Sequence, residues 1–131
     1  ALAYAQQAED LMTANPGNEI TQALVLQLLG KVHEHLGRLD EAASSLRRAI
    51  AISQSCGFRI CAAECHHRLG VVLTQLGQPA AAEQSLRVAV DLYRTLKLTA
   101  EAAQAAEYLN DLTRAGSLSD QDQRTVMPTL A

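Results

Sequence analysis

The sequence matches itself at an offset of 40 residues, and this internal repeat restricts the possible folds more than any other feature. Residues 23–62 set against residues 63–102 give twelve identities in forty positions. The identical pairs are Ala23/Ala63, Leu29/Leu69, Gly30/Gly70, Val32/Val72, Leu36/Leu76, Gly37/Gly77, Ala42/Ala82, Ser45/Ser85, Leu46/Leu86, Arg47/Arg87, Ala49/Ala89 and Ala62/Ala102. A period of about 20–50 residues is typical of chains in which small structural units stack on one another. We therefore expect an open array of stacked units.

Each unit contains two helix patterns. Apolar residues at helical spacing predict helices over about 19–36, 41–55, 62–76 and 79–96. Gly37 and Gly77 follow the first helix of each unit, where the residue just past a helix end often adopts a left-handed backbone. Asp40 is predicted as the N-cap of the second helix in the first unit. In the second unit, Pro79 takes the first helical turn, where its missing N–H is not needed.

The helices are predicted to pack closely. Gly30 and Gly70 occupy the same place inside the first helix of each unit, although an interior Gly destabilises a helix by about 1 kcal/mol relative to Ala. Their recurrence indicates that another helix passes too close to leave room for a Cβ atom. Composition agrees with an all-helical chain, because 23 residues are Ala and 20 are Leu, both strong helix formers, whereas Trp is absent.

Both units resemble the tetratricopeptide repeat. The resemblance rests on Leu29, Gly30, Gly37, Ala42, Leu46 and Ala49 in the first unit and on Leu69, Gly70, Gly77, Ala82, Leu86 and Ala89 in the second. The period is longer than the family's usual length of about 34 residues. Two positions that are usually aromatic in the family are not aromatic here: one holds Leu26 in the first unit and His66 in the second, and the other holds His33 and Leu73. Longer repeats of this kind are similar to those of kinesin light chains and of the sensor arrays of large bacterial regulators. The resemblance implies an all-α, right-handed superhelical solenoid of antiparallel helix pairs.

We expect one domain over residues 1–116. The sequence predicts the second helix of a preceding unit at 1–15, repeats at 19–56 and 59–97, and the first helix of a third unit at 99–115. For residues 117–131 a degenerate helix, a cap and a flexible tail are all open. Because the chain opens inside a helical pattern and without Met, we expect it to be a piece of a longer protein.

The resemblance also implies a concave groove lined by the first helices of the units. The matching positions hold Leu24, Gln27, Lys31, Glu34, Glu64, His67, Val71, Thr74, Gln104, Glu107, Asp111 and Arg114. The predicted partner-binding residues are Gln27, Lys31, Glu34, Glu64, His67, Val71, Thr74, Gln104, Glu107 and Asp111. This surface is mixed and modestly acidic, so it fits a partner segment carrying Lys or Arg, or an amphipathic helix.

A carboxylate clamp of the kind that some family members use for chaperone tails is not predicted. The matching positions hold Gln27, Lys31, Arg68, Gln104 and Tyr108. A lone Lys and a lone Arg do not supply the convergent donors that a carboxylate requires.

Charge and cysteine usage exclude other classes of partner. The net charge is −3 and the eleven basic residues are scattered, which argues against direct binding of nucleic acid. No run approaches the ~18 apolar residues of a membrane span. Three Cys residues without the spacing of a disulfide framework favour a reducing, cytoplasmic setting.

The densest cluster of reactive side chains lies at the start of the second unit. It comprises Cys56, Cys61, Cys65, His66 and His67. Zinc is the ion to consider, because thiolate and imidazole are its usual ligands. No Cys-X-X-Cys pair is present, and Cys65, His66 and His67 point in three directions around a helix, so we interpret the cluster as core packing. With neither a catalytic constellation nor a phosphate loop, the sequence predicts no metal, no cofactor and no enzyme activity.

Two hypotheses of different classes follow for the function. The first is a protein-interaction module of a larger cytoplasmic protein, which binds a peptide or helix in its groove. The alternative is an effector-sensing or autoinhibitory array within a bacterial transcriptional regulator or signalling ATPase. Self-association through apolar ends of the solenoid is a third possibility.

Overall fold

The described part of the chain is an array of antiparallel helices. The computed structural model describes residues 3, 6, 7, 10 and 18–130, with side chains as far as residue 115. Within these residues there are five helices and no strand: α1 (Glu19–His35), α2 (Leu39–Cys56), α3 (Arg59–Gln75), α4 (Pro79–Thr95) and α5 (Thr99–Leu130). Each helix packs against the next along the chain, and α1 also contacts α3. The prediction of an all-α solenoid of helix pairs is confirmed.

Three helix starts agree with the sequence prediction, those of α1, α4 and α5, whereas α2 and α3 begin two and three residues earlier than predicted. Asn18 caps α1, with its Oδ1 accepting the Thr21 N–H at 3.1 Å, and Pro79 begins α4 as predicted. The prediction that Asp40 caps α2 is wrong. The helix begins two residues earlier, and the N-cap is Arg38, whose side chain makes no capping hydrogen bond. Asp40 lies instead in the first turn, where a negative charge favours the positive end of the helix dipole.

A residue with a left-handed backbone ends each of the first four helices. The ends of α1, α3 and α4 share one pair of hydrogen bonds, whereas after α2 the Gly57 N–H donates to the Ser53 carbonyl. After α1, the Gly37 N–H donates to the Glu34 carbonyl at 3.1 Å and the Arg38 N–H donates to the His33 carbonyl at 2.8 Å. This pair of bonds requires a left-handed residue just past the helix end. The four residues in that position have positive φ and are Gly37 (77°), Gly57 (74°), Gly77 (77°) and Lys97 (61°). The predicted turns at Gly37 and Gly77 are confirmed.

The two helices of each unit pack closely at the two interior glycines. A Cβ atom at Gly30 would lie 2.7 Å from the Leu46 side chain of α2, and one at Gly70 would lie 2.5 Å from Leu86 of α4. The sequence prediction of a helix crossing at these residues is therefore confirmed. The fully buried side chains around the crossings include Leu26, Leu29, Leu46, Val72, Leu73 and Leu86.

The third unit is packed on one side only. The apolar spacing of residues 99–114 predicts a buried stripe of Ala103, Ala106, Leu109 and Leu112. This prediction is wrong at Ala103, which is exposed, while Ala102 and Ala105 are buried. The equivalent Ala63 is buried in a cluster with residues of the second helix α4, and no second helix covers α5 in the described residues. Instead α5 continues to Leu130, through a segment for which the sequence left several alternatives open.

A side chain also replaces the interior glycine in α5. Asn110 stands where the first two units have Gly30 and Gly70. It is exposed and borders a cavity of about 320 Å³ between α4 and α5. If the repeat continued, the second helix of a third unit would cross α5 at this residue.

The helix predicted for residues 1–15 lies mostly outside the described residues. Residues 3, 6, 7 and 10 are helical and exposed, and the Gln6 side chain donates to Asp10 at 3.1 Å. The proposed boundaries of the units therefore stay a prediction. In the described part of the chain, no helix has the length and apolar character needed to cross a membrane.

Candidate functional site

Two cavities open along the surface where α1 and α3 lie side by side. The first has a volume of about 290 Å³ and is lined by Gln27, Lys31, Glu64, His67, Arg68, Val71 and Tyr93. The second has a volume of about 410 Å³ and is lined by Lys31, Glu34, His35, Arg68 and Gln75. Lys31 and Arg68 belong to both, so the cavities are continuous parts of one surface. We call this surface the groove.

The structure brings together six of the seven predicted binding residues of the first two units. Those that line the groove are Gln27, Lys31, Glu34, Glu64, His67 and Val71. Thr74 lines neither cavity, and its hydroxyl donates to the Gly70 carbonyl of its own helix at 2.9 Å. The predicted residues of the third unit, Gln104, Glu107 and Asp111, are exposed on α5 and line neither cavity.

Gln27 acts as a bridge between α1 and α3. The sequence places it on the open face of the groove, yet it is only 7% exposed. Its Nε2 donates to Glu64 Oε2 at 2.7 Å, and its Oε1 accepts from the Cys61 thiol at 3.4 Å. Because both ends of the amide are engaged, Gln27 orients the Glu64 carboxylate, which takes one of its two N–H donors.

The groove contains charges of both signs. Arg68 on α3 forms an ion pair with Glu34 on α1 at 3.5 Å. Among the described residues, no carboxylate lies within ion-pair distance of the Lys31 ammonium group. The sequence treats Lys31 and Arg68 as isolated cations, whereas the structure places them on neighbouring helices around the same cavities.

Tyr93 forms part of the first cavity, and sequence reasoning missed it. Its hydroxyl lies 3.5 Å from His67 Nδ1, and the two rings meet edge to face with centroids 5.9 Å apart. Burial raises the pKa of Tyr93 to about 12, and burial, helped by Arg68, lowers the pKa of His67. Both groups are therefore neutral near pH 7, and they form an uncharged wall between charged side chains.

The repeat itself carries a signal for this pair. At the 40-residue offset, His67 is equivalent to Gln27 and Tyr93 is equivalent to Ser53. Gln27 and Ser53 both interact with Cys61 where the first unit meets the second. The polar contact of His67 with Tyr93 lies at the same position one unit later, so comparing the two junctions points to Tyr93.

The reactive cluster at the start of the second unit separates into different environments. Cys61 and Cys65 face each other, with their Sγ atoms 3.9 Å apart, whereas Cys56 bonds to the Ser53 carbonyl of its own helix. The hydrogen bond from Cys65 lowers the pKa of the Cys61 thiol, and the same contact, together with burial, raises the pKa of Cys65. Among the described residues, no three His, Cys, Asp or Glu side chains form a group that could hold a metal ion.

The helix pairs, their crossing glycines and the groove define a helical-repeat protein. The family model described as tetratricopeptide repeat matches residues 20–95, which is more than half of the chain. The chain belongs to the tetratricopeptide-repeat family, whose members generally serve as protein–protein interaction modules. A comparison with curated proteins finds no match.

Proposed function

We propose that the groove binds a segment of a partner protein, and that this chain is an interaction module of a larger cytoplasmic scaffold or regulatory protein. The observation that carries the proposal is the continuous pair of cavities between α1 and α3, which share Lys31 and Arg68. An extended peptide or a helix laid along this surface would contact both units at once, as partners of helical repeats commonly do.

The charges around the first cavity favour a partner segment with side chains of both signs. Glu64 accepts a hydrogen bond from a neutral amide and retains capacity for a Lys or Arg of the partner. The ammonium group of Lys31 is available for an acidic side chain. Val71 and the edge of Tyr93 supply apolar contact between them. Such paired charges set the register of a bound segment more than they raise its affinity.

The test is affinity capture from source-cell lysate with two variants of equal charge. In the groove variant, Lys31→Glu and Arg68→Glu reverse the two shared cations. In the control variant, Arg47→Glu and Arg48→Glu reverse two exposed cations of α2, outside both cavities. Circular dichroism establishes first that both variants are as helical as the parent chain.

We expect a partner that the parent chain and the control variant retain and that the groove variant retains at least tenfold less. Titration of the purified partner against the three proteins then measures the same loss directly. Equal retention by all three proteins would exclude the groove as the binding surface. A loss that is equal in the groove and control variants would indicate a dependence on net charge alone.

The alternative function is that of a sensor array for a small effector, as in the large bacterial regulators whose repeats these units resemble. The volume of the first cavity, about 290 Å³, lies at the small end of the range for ligand pockets. Its opposed charges suit a zwitterion. Thermal unfolding in the presence of free amino acids, compared with short peptides, distinguishes the two functions. If a free amino acid stabilises the parent chain but not the groove variant, the result would favour the sensor function.

A further inference from the structure

A buried pair of thiols lies behind the wall of the groove. Cys61 and Cys65 are one helical turn apart on α3, and each is at most 1% exposed. Their Sγ atoms are 3.9 Å apart and point at each other. We propose that these two side chains form a two-coordinate site for a soft monovalent metal ion, Cu⁺, and that the site is separate from the binding of a partner.

The spacing of the two residues suits a bridging ion better than a disulfide. Side chains four apart on a helix have Cβ atoms about 5–6 Å apart, whereas a disulfide requires about 3.8 Å. Closing the S–S bond would unwind the first turns of α3. Metal–sulfur bonds of about 2.3 Å span two sulfur atoms up to about 4.6 Å apart. The observed 3.9 Å is about 0.7 Å short of that span, so the two side chains would turn slightly apart to hold one ion in a linear arrangement.

The number of ligands selects the ion. A structural zinc site uses four protein ligands, and in the described part of the chain no third His, Cys, Asp or Glu joins these thiols in a metal-binding group. Cu⁺ is a soft ion that prefers thiolate sulfur over oxygen ligands, and two thiolates suffice to bind it in a nearly linear arrangement. The pair therefore matches Cu⁺ and excludes the ions that need a fuller shell.

Groups close to the sulfurs act in both directions on the charge that Cu⁺ binding leaves. Two neutral thiols release two protons when one Cu⁺ binds, which leaves a complex with a net charge of −1. Cys61 lies in the first turn of α3, where the helix dipole favours negative charge. The Lys31 ammonium acts on Cys65 in the same direction, while Glu64 opposes it.

One side chain, that of Gln27, lies between the first cavity and the two thiols. Gln27 lines the first cavity and its Oε1 lies 3.4 Å from the Cys61 sulfur. The amide thus separates the thiols from the groove. A change of its rotamer would open a path for a Cu⁺ carrier or a small chelate, with no helix displaced.

The repeat supplies matched replacements for the test. At the 40-residue offset, Thr21 is equivalent to Cys61 and Ala105 is equivalent to Cys65, and Ala105 is fully buried in its own unit. The variants are therefore Cys61→Thr and Cys65→Ala. Cys56→Ala is the control, because this third thiol bonds within α2. All are made in the full chain and checked for helix content.

The measurement is anaerobic competition for Cu⁺ against the chromophoric chelator bicinchoninate, after full reduction of the thiols. We expect the parent chain and Cys56→Ala to take one equivalent of Cu⁺, and the other two variants to bind it at least 100-fold more weakly. X-ray absorption of the loaded protein should give two sulfur neighbours. Failure of the parent chain to compete, or an equal loss in Cys56→Ala, would overturn the proposal. If Cys61→Thr does not fold, Cys65→Ala decides the outcome.

Discussion

His66 contains two buried nitrogen atoms for which the described part of the chain provides no hydrogen-bond partner. The equivalent residue of the first unit is Leu26, which is fully buried. Leaving a buried polar group unsatisfied costs about 1–3 kcal/mol. An imidazole therefore occupies a position where the other unit uses a hydrocarbon side chain.

We predict that His66→Leu stabilises the fold. Removing the unsatisfied nitrogens and restoring the residue type of the first unit should raise the free energy of unfolding by about 1 kcal/mol. Urea denaturation at pH 7.5 measures this change. His35→Leu serves as the control, because His35 is exposed and should shift the free energy by less than about 0.5 kcal/mol. A destabilised His66→Leu variant would show that the imidazole has a partner in solution.

We also predict that stability falls as the pH drops below about 6.5. Burial lowers the pKa of His66 and of His67 in the folded chain, so the unfolded chain takes up protons at a higher pH than the folded one. Their contribution to stability is complete above the unfolded pKa and is lost as the pH falls towards the folded pKa values. Urea midpoints at pH 7.5 and 5.5 should differ less in His66→Leu than in the parent chain. An equal difference would assign the effect to other groups.

The residues that line the groove could be predicted where this depends only on the face of a single helix. The repeat spacing placed Lys31, Glu64 and Val71 on one side of α1 and α3, and all three line the first cavity. It did not reveal that Gln27 is buried or that Tyr93 contributes to the cavity, because both depend on contacts between different helices. Periodicity gives the direction of a side chain on its own helix, while its partners depend on how the helices are arranged.

At the scale of the helix connections, Lys97 is the exception among four equivalent turns. It adopts φ of 61° where the other three turns have Gly. A left-handed backbone costs a residue with a side chain roughly 1–2 kcal/mol. Substitution by Gly removes this cost, but part of the gain is lost because Gly raises the conformational entropy of the unfolded chain. We predict that Lys97→Gly stabilises the protein by about 0.5–1 kcal/mol, measured by urea denaturation. The reverse substitution Gly57→Lys should destabilise it by a similar amount, and no change in either variant would contradict the argument.

At the crossing of α3 and α4, the effect of one substitution on stability should change sign when Leu86 is replaced. In Gly70→Ala the new Cβ would lie 2.5 Å from Leu86 Cγ and 3.3 Å from the Ala82 carbonyl oxygen. Overpacking costs about 1–3 kcal/mol, which exceeds the helix propensity gained of about 1 kcal/mol. We expect net destabilisation in thermal and urea unfolding. With Leu86→Ala as the starting protein, the same Gly70→Ala change should stabilise, because only the 3.3 Å contact with the Ala82 carbonyl oxygen then remains. Destabilisation in both backgrounds would place the clash at the backbone.

The helices themselves were largely predictable, for physical reasons that also explain the errors. Sharp turns after Gly37 and Gly77, together with apolar spacing, located α1 to α4 closely. The start of α2 was misplaced because an acidic residue favours the first turn as well as the cap. The stripe of α5 was misjudged because burial of Ala103 requires a covering helix, and the sequence of α5 alone does not report whether one is present.

For the whole molecule, stability should be graded along the array. Each helix of a solenoid gains stability from its neighbours, and α2 to α4 have neighbours on both sides while α5 packs against α4 alone among the major contacts. We predict that amide hydrogens of α3 exchange slowest and those of α5 fastest, with local opening free energies falling towards the end. Hydrogen exchange followed by mass spectrometry resolves the helices. Equal protection of α3 and residues 99–115 would indicate that α5 has a further packing partner.

A repeat protein is usually extendable, because each unit presents the same docking surface to the next. Here Asn110 interrupts that rule. A second helix with the sequence of α2 or α4 would bring a Leu to the place that the Asn110 side chain fills, so simple duplication of a unit would not lengthen this array. Protein engineers who wish to add units would first have to restore glycine at 110. In this chain, the side chain of Asn110 prevents the array from being lengthened by further units of the same sequence.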